Sequence, residues 1–264
     1  MKKRLFYLLM VVTTAACGAR PAKQQTATPR PVEPKEYGYT ILKSYPHATD
    51  SYTQGLLFHE GILWEGTGQK GESRLLRHDL ETGHSEEVAR LPRHEFGEGI
   101  ALVGEELFQL TWMENTAHIY DLKSGKEVRT VRYLGEGWGL TSDGEKLYLS
   151  DGSATIRRLD PATFKREGAI TVTLRGEPVD FLNELEWIDG RIWANIYTTD
   201  YIAIIDPKTG VVEGLINLEG LLPESERTPQ TDVLNGIAHD AATGRIWLTG
   251  KNWSRLYEIA LTEK

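Results

Sequence analysis

The chain is poor in the residues from which disulfides, metal sites and nucleophilic triads are built. Its 264 residues hold one cysteine, three methionines and seven histidines. The single cysteine, Cys17, excludes an intramolecular disulfide. The histidines show no H-x-x-x-H spacing, so a catalytic zinc has no support. There is no G-x-S-x-G elbow, and no cysteine follows position 17 to act as a nucleophile. Positive charge is also in short supply, with 30 Lys and Arg against 38 Asp and Glu and a formal net charge of -8. No basic patch is available to neutralise phosphates, so neither nucleic acid nor an anionic membrane surface is an expected partner. Long helical periodicity is missing throughout. What remains is an ordinary globular composition, 40% hydrophobic and 26% charged.

The first 36 residues read as export and tethering rather than as fold. Lys2, Lys3 and Arg4 precede an apolar run over residues 5–16, too short to span a bilayer. The run ends in "TTAACGAR", with two small residues before Cys17, which resembles a bacterial lipoprotein signal cleaved so that Cys17 becomes the lipidated first residue. Residues 18–36, rich in Pro, Thr, Gln and Lys, predict a disordered tether. The expectation is an exported lipoprotein facing the periplasm or cell surface, touching the membrane only through its lipid, with one domain over residues 37–264.

Within that domain an internal repeat stands out. Five turn glycines, Gly61, Gly104, Gly144, Gly190 and Gly244, each open a strand: "GILWEGTG", "GEELFQLTW", "GEKLYLSDG", "GRIWANIYTTD" and "GRIWLTGKNW". Each is preceded by another apolar run, "QGLLF", "EGIALV", "WGLTSD", "NELEWID" or "NGIAHD". Most are followed by a third strand ending in a turn, as in "AHIYDLKSG" and "IAIIDPKTG". Alternation, Gly and Asp turns, and β-branched or aromatic enrichment all predict strands. Repeats of 40 to 50 residues with three or four antiparallel strands predict an all-β fold, a five-bladed β-propeller of antiparallel four-stranded blades. The run "YTILKSY", residues 39–45, lies outside the repeats and is expected to add an edge strand to the last blade.

In such a fold the first strands line a common axis, so equivalent positions of the repeats converge. At the start of the first strand these are Gln54, Glu98, Trp138, the Asn183 and Glu184 pair, and Asn235; at the end of the second they are Gly68, Trp112, Asp151, Tyr197 and Lys251. The scaffold repeats while these positions diversify into carboxylate, amide, ammonium and large aromatics. That is the make-up of a small pocket with aromatic walls and a few aimed polar groups. Taken singly, Trp112 and Trp138 read as packing between blades, Lys251 as a solvated strand end, and Asn235 and Asp151 as turn or backbone partners. Glu98 is harder to assign to structure, because Gly97 and Gly99 on either side are expected to give access to the backbone.

The strings "YTQG", "FGEG", "LTW", "GWGL", "NELEW", "IWANIYTTD", "VLNGIAHD" and "TGKNW" occur in the order in which they stand in the plant and bacterial glutaminyl-peptide cyclotransferases of the five-bladed propeller type. The chain resembles that family from about residue 39 to 261. The resemblance implies conversion of an N-terminal glutamine of a peptide or protein to pyroglutamate with release of ammonia, without a metal. It implies that Glu98 is the acid/base, that Gln54, Asn183 and Lys251 hold the amide and its oxyanion, and that Phe96, Trp112 and Trp138 wall the glutamine side chain. Tyr52 and Tyr197 stand where the family more often has Phe and Trp.

Expected partners are peptides or proteins with N-terminal glutamine, and a monomer is expected. Two other classes fit the scaffold: a non-catalytic peptide-binding surface propeller, and a calcium-dependent lactonase-like hydrolase in which Glu98, Asn183 and Asp151 meet at a metal. A structural calcium in the channel is compatible with the fold, without assignable ligands.

Overall fold

The computed structural model describes residues 32–80 and 82–263. The expected signal, Cys17 and most of the expected tether lie outside the described residues. The first strand, β1 (Lys35–Pro46), begins two residues ahead of the expected domain boundary.

Four-stranded antiparallel meanders follow. The first is β2 (Thr53–His59), β3 (Ile62–Thr67), β4 (Arg74–His78) and β5 (Ser85–Arg90); the second is β6 (Gly97–Val103), β7 (Glu106–Thr111), β8 (Thr116–Asp121) and β9 (Glu127–Arg132). The third is β10 (Leu140–Ser142), β11 (Leu147–Leu149), β12 (Thr155–Leu159) and β13 (Arg166–Thr171), after which a short hairpin pairs β14 (Thr173–Leu174) with β15 (Glu177–Pro178). The fourth is β16 (Leu182–Ile188), β17 (Arg191–Ile196), β18 (Tyr201–Ile205) and β19 (Val212–Asn217). The fifth has only three consecutive strands, β20 (Leu234–Asp240), β21 (Arg245–Gly250) and β22 (Arg255–Glu263). Its fourth strand is β1, antiparallel to β22 from Tyr37 opposite Glu263 to Pro46 opposite Arg255. The extra edge strand expected from "YTILKSY" is therefore present.

Five separate sheets were expected, and the hydrogen bonding differs. The start of β1 also runs parallel to β19, with Lys35 to Tyr37 opposite Gly214 to Ile216, so the fourth and fifth units form one eight-stranded sheet. The cause is the length of β1: at twelve residues it extends past its antiparallel partner and meets the neighbouring outer strand.

The hairpins form where the repeated glycines predict them. Gly61, Gly104, Gly144, Gly190 and Gly244 all have positive φ, between 60° and 93°, and a Cβ at any of them would touch nothing. Glycine is there for the left-handed turn, not for packing. Burial decreases outwards. The first strands β2 and β6 are buried over five consecutive residues, whereas the fourth strands β9 and β13 alternate half-buried with exposed positions. A strand enclosed on both faces reads as an apolar run, and one facing solvent on one side alternates.

The core is distributed between the units. Leu57, Trp64, Ile100 and Leu107 join the first to the second; Phe108, Ile119, Leu140 and Leu147 join the second to the third. Tyr148, Ile156, Leu185 and Ile192 join the third to the fourth; Ile188, Trp193, Ile237 and Leu248 join the fourth to the fifth. Tyr45, Leu56, Leu63, Ala238 and Trp247 join the fifth back to the first. The first strands likewise touch in cyclic order: β2 with β6, β6 with β10, β10 with β16, β16 with β20 and β20 with β2.

Candidate active site

Four first strands start in the same irregular way. Gln54, Glu98, Asn183 and Asn235 are each the second residue of their strand, in β2, β6, β16 and β20. In every case the register to the next strand shifts over that residue: between Thr53 and Gly55, Gly97 and Ile100, Leu182 and Leu185, and Leu234 and Ile237. Such bulges leave residues out of the ladder and re-aim their side chains. The same end of the molecule receives the residues that directly follow the second strands, Gly68, Trp112, Tyr197 and Lys251.

The glycines around Glu98 serve this geometry rather than access to the backbone. A Cβ on Gly99 would stand 2.5 Å from the Leu140 nitrogen, and one on Gly97 2.5 Å from the Thr67 oxygen. Gly55 and Gly139 are pressed as tightly, against the Ile100 nitrogen and the Asn183 oxygen. Bare backbone at Gly55, Gly99 and Gly139 lets neighbouring first strands approach closely enough for their bulged residues to share one space, and at Gly97 it admits the end of β3.

That space is a cavity of about 330 Å³ lined by Tyr52, Gln54, Gln69, Phe96, Glu98, Trp112, Trp138, Asn183, Tyr197 and Lys251. Its aromatic walls pack edge to face: Tyr52 on Phe96 at 6.2 Å, Phe96 on Trp112 at 5.8 Å and Trp138 on Tyr197 at 5.8 Å between ring centres. Gly68 and Gly152 make room for the rings, since a Cβ there would lie 2.5 Å from Phe96 and 2.7 Å from Trp138. A larger, more open depression of about 700 Å³ lies near Ile62, Arg77 and Arg245, but its arginines are engaged by Glu86 and Glu258.

The polar groups of the aromatic-walled cavity are few and underused. Glu98 is 4% exposed, and its Oε2 meets no hydrogen-bond partner among the described residues. Burial drives its carboxyl well above the ordinary range; the Lys251 charge opposes that shift, and the charges of Glu136 and Glu114 add to it. The Lys251 ammonium is buried between two rings, 5.0 Å from the centre of Tyr52 and 4.8 Å from that of Tyr197. Its pKa is lowered by burial and held up in part by Glu98 and Asp232. Asn183 is 2% exposed with Oδ1 unpartnered among the described residues. Asn235 donates from Nδ2 to the Thr53 carbonyl at 3.0 Å and to Gln54 Oε1 at 3.2 Å, which leaves the Gln54 NH2 as the end able to donate into the cavity. Tyr52 donates its hydroxyl to Asp232 at 2.9 Å.

The sequence pattern described as glutamine cyclotransferase matches residues 8–261. The chain belongs to the glutamine cyclotransferase family. It is 42% identical over 229 residues to a glutaminyl-peptide cyclotransferase of Arabidopsis thaliana, covering 84% of this chain and 71% of that protein. It superposes on the crystal structure of the Myxococcus xanthus glutaminyl cyclase with a TM-score of 0.81 at 40% identity, covering 88% of this chain and all of the other. A chain of the nidogen/laminin complex, at 15% identity and a TM-score of 0.51 over 76% of this chain and 73% of that one, shares the fold alone.

Against this cyclotransferase background, the nine residues singled out from the sequence all line the cavity: Gln54, Glu98, Asn183, Lys251, Tyr52, Phe96, Trp112, Trp138 and Tyr197. Glu184, grouped with Asn183 at the same strand start, points elsewhere and accepts the backbone N–H groups of Leu56 at 3.2 Å and Ile237 at 3.0 Å, tying two first strands together. Asp151 is also not part of the lining. It caps Ser153 and pairs with Arg157 at 3.4 Å, so Glu98, Asn183 and Asp151 do not form a shared ligand set. Among the described residues no group of three or more His, Cys, Asp or Glu side chains is placed to hold a metal ion.

Two further residues, one lining the cavity and one just outside it, carry no signal in the repeat. Gln69 sits at the cavity next to Gly68, and the repeat gave no reason to look beyond the strand end. Glu136 accepts both indole N–H groups of the walls, from Trp112 at 2.8 Å and Trp138 at 2.9 Å. It lies in a connection between units, where the repeat has no equivalent positions.

Proposed function

We propose that the chain is a glutaminyl-peptide cyclotransferase that closes an N-terminal glutamine to pyroglutamate and releases ammonia. The observation that carries this reading is the pair of unpartnered acceptors, Glu98 Oε2 and Asn183 Oδ1, inside an aromatic-walled cavity that also holds one buried ammonium. A glutamine end supplies what they lack: N–H donors on its α-amine and carboxamide, an oxygen acceptor for Lys251 and Gln54, and a methylene stem for the rings.

In the reaction the α-amine nitrogen attacks the side-chain carbonyl carbon. The new C–N bond forms, the amine proton passes to the Glu98 carboxylate, and the carbonyl electron pair moves onto oxygen. Lys251 and the Gln54 NH2 stabilise that oxyanion, and a buried site makes them effective because they are held in place beforehand. Collapse restores the carbonyl and breaks the bond to the carboxamide nitrogen, which takes the proton back from Glu98 and departs as ammonia. One carboxyl serves as base and then acid. Burial suits it to both roles, because raising its pKa well above the ordinary carboxylate range makes the carboxyl a better proton acceptor while leaving it able to return the proton.

The same reading treats the five units as blades of a five-bladed propeller, with the short β1–β19 pairing as a seam between two of them. The cyclic contacts of the first strands and the five clusters between neighbouring units support it. Lipidation at Cys17 would place the enzyme on an extracytoplasmic membrane face, acting as a monomer on exported peptides and proteins. The test is ammonia release from a short peptide beginning with glutamine. Activity in the wild-type domain that is lost in Glu98→Gln is expected, and a folded wild-type domain that releases none would sink the assignment.

A further inference from the structure

The walls of the cavity depend on a residue outside it. Trp112 directly follows β7 and Trp138 precedes β10, so they come from different units, yet their indole N–H groups converge on Oε2 of Glu136. We propose that Glu136 is a positioning residue of the cyclotransferase site, fixing the two tryptophan walls through one carboxylate oxygen and setting a negative charge within reach of Glu98.

The loop that carries Glu136 is built to hold it. Three successive backbone carbonyls are taken by side chains from elsewhere: those of Leu134 and Glu136 by the Arg157 guanidinium from β12, and that of Gly135 by Asn115 Nδ2. With the main chain tied, the carboxylate has little freedom, and the two indoles it binds are held in turn. Both indoles are half-buried, and a partly desolvated N–H without an acceptor is unfavourable, so the clamp also fixes which way each ring faces.

The charge matters as well as the geometry. The charged and titratable groups that act on Glu98 are Lys251, Glu136 and Glu114, with Tyr52 and Tyr133 near enough to respond to its charge. Glu114 is offset by Lys70 at 2.9 Å and by the Phe96 N–H at 3.4 Å. The carboxylate of Glu136 is bound by two neutral indoles, while the Arg157 guanidinium reaches its backbone carbonyl, and no ion pair to the carboxylate forms among the described residues. Its negative charge opposes ionisation of Glu98 and so keeps that group easier to protonate when the amine proton arrives.

This inference rests on the cyclotransferase reading, and two variants separate the parts. In Glu136→Gln the side-chain oxygen can still accept both indoles while the charge is gone; in Glu136→Ala both are lost. The expected result for Glu136→Gln is an acid limb of kcat/KM that moves to lower pH for the same glutamine peptide, with KM within about twofold of wild type. Glu136→Ala is expected to move the limb likewise and to raise KM about tenfold, as the walls lose their charge-assisted bonds. In the folded Ala variant two indole N–H resonances, assigned with Trp112→Phe and Trp138→Phe, are expected to shift and exchange faster. An unchanged pH profile in the Gln variant, an unchanged KM in the Ala variant, or unchanged indole resonances would each overturn the proposal. A wild-type protein that releases no ammonia while those resonances still respond would instead overturn the assigned activity and leave the clamp standing.

Discussion

The ammonium of Lys251 lies 4.8 Å from the centre of the Tyr197 ring, in a position where an ammonium is attracted to the ring's π face. Tyr52 does the same from another side at 5.0 Å, and the two rings replace much of the water that a surface lysine would keep. No carboxylate among the described residues forms an ion pair with it, which leaves its N–H donors available to a substrate oxygen.

Replacing Lys251 by Met should therefore keep the hydrophobic stem and remove the donor. A fall in kcat of about 10²-fold or more is expected, the size typical of losing one oxyanion donor. Lys251 is also the charge that favours ionisation of Glu98, so the acid limb of the pH profile should move to higher pH. Steady-state kinetics across pH on a glutamine peptide check both; an unshifted limb would separate Lys251 from Glu98.

Glu98 should cost stability in proportion to its ionisation. A carboxyl whose folded pKa exceeds its unfolded value binds more protons folded than unfolded between the two, so stability falls as pH rises through that interval. Glu98→Gln removes this contribution while cutting activity by about 10²–10⁴-fold. The variant's melting temperature should exceed that of wild type by a margin that is small near pH 4.5 and widens toward neutral pH. Thermal melts of the two proteins across that range decide it, and a constant margin would show that burial does not raise the Glu98 pKa.

Gly99→Ala tests whether the glycine exists for strand approach. The added methyl would meet backbone atoms, the Leu140 nitrogen at 2.5 Å and Gly139 at 2.8 Å, which cannot swing aside as a side chain can. A loss of about 1–3 kcal/mol is expected, roughly 2–10 °C in Tm for a chain of this size, together with a displaced Glu98 and reduced kcat. A variant with wild-type melting and wild-type activity would refute the close-approach account.

Cyclisation should persist in the presence of a chelator. The cavity offers a single carboxylate, Glu98, and sets an ammonium near it, a donor set ill suited to a divalent cation. Ammonia release measured before and after exhaustive chelation and dialysis should agree within about twofold. Loss of activity restored by added calcium would reopen the hydrolase-like alternative.

How much of this could be read from the chain varies with the physical origin of each feature. The hairpin glycines were legible because a left-handed turn at Gly61 or Gly244 needs glycine for a purely local reason. The nine cavity residues were legible through repeat position and family strings, since each repeat delivers its residue to the same place. The bulges at Gln54, Glu98, Asn183 and Asn235 were not, because a register shift is a relation between two strands that neither sequence carries alone. The purpose of Gly97 and Gly99 is likewise not written locally, as the atoms that require their bareness belong to Thr67 and Leu140. The parallel pairing of Lys35 to Tyr37 with β19 and the clamp at Glu136 were invisible for the same reason: both depend on what tertiary structure brings alongside.

The pairing of β1 with β22 joins the first described strand to the last, with Tyr37 opposite Glu263. During synthesis the edge of β1 that faces β22 must wait for that last strand before it is covered. Contacts of such high sequence separation slow folding and leave an unpaired edge exposed in the meantime. The cavity straddles this junction: Gln54 is supplied by the first unit and Lys251 by the fifth, so trimming β1 or β22 would loosen the seam next to which both of them stand.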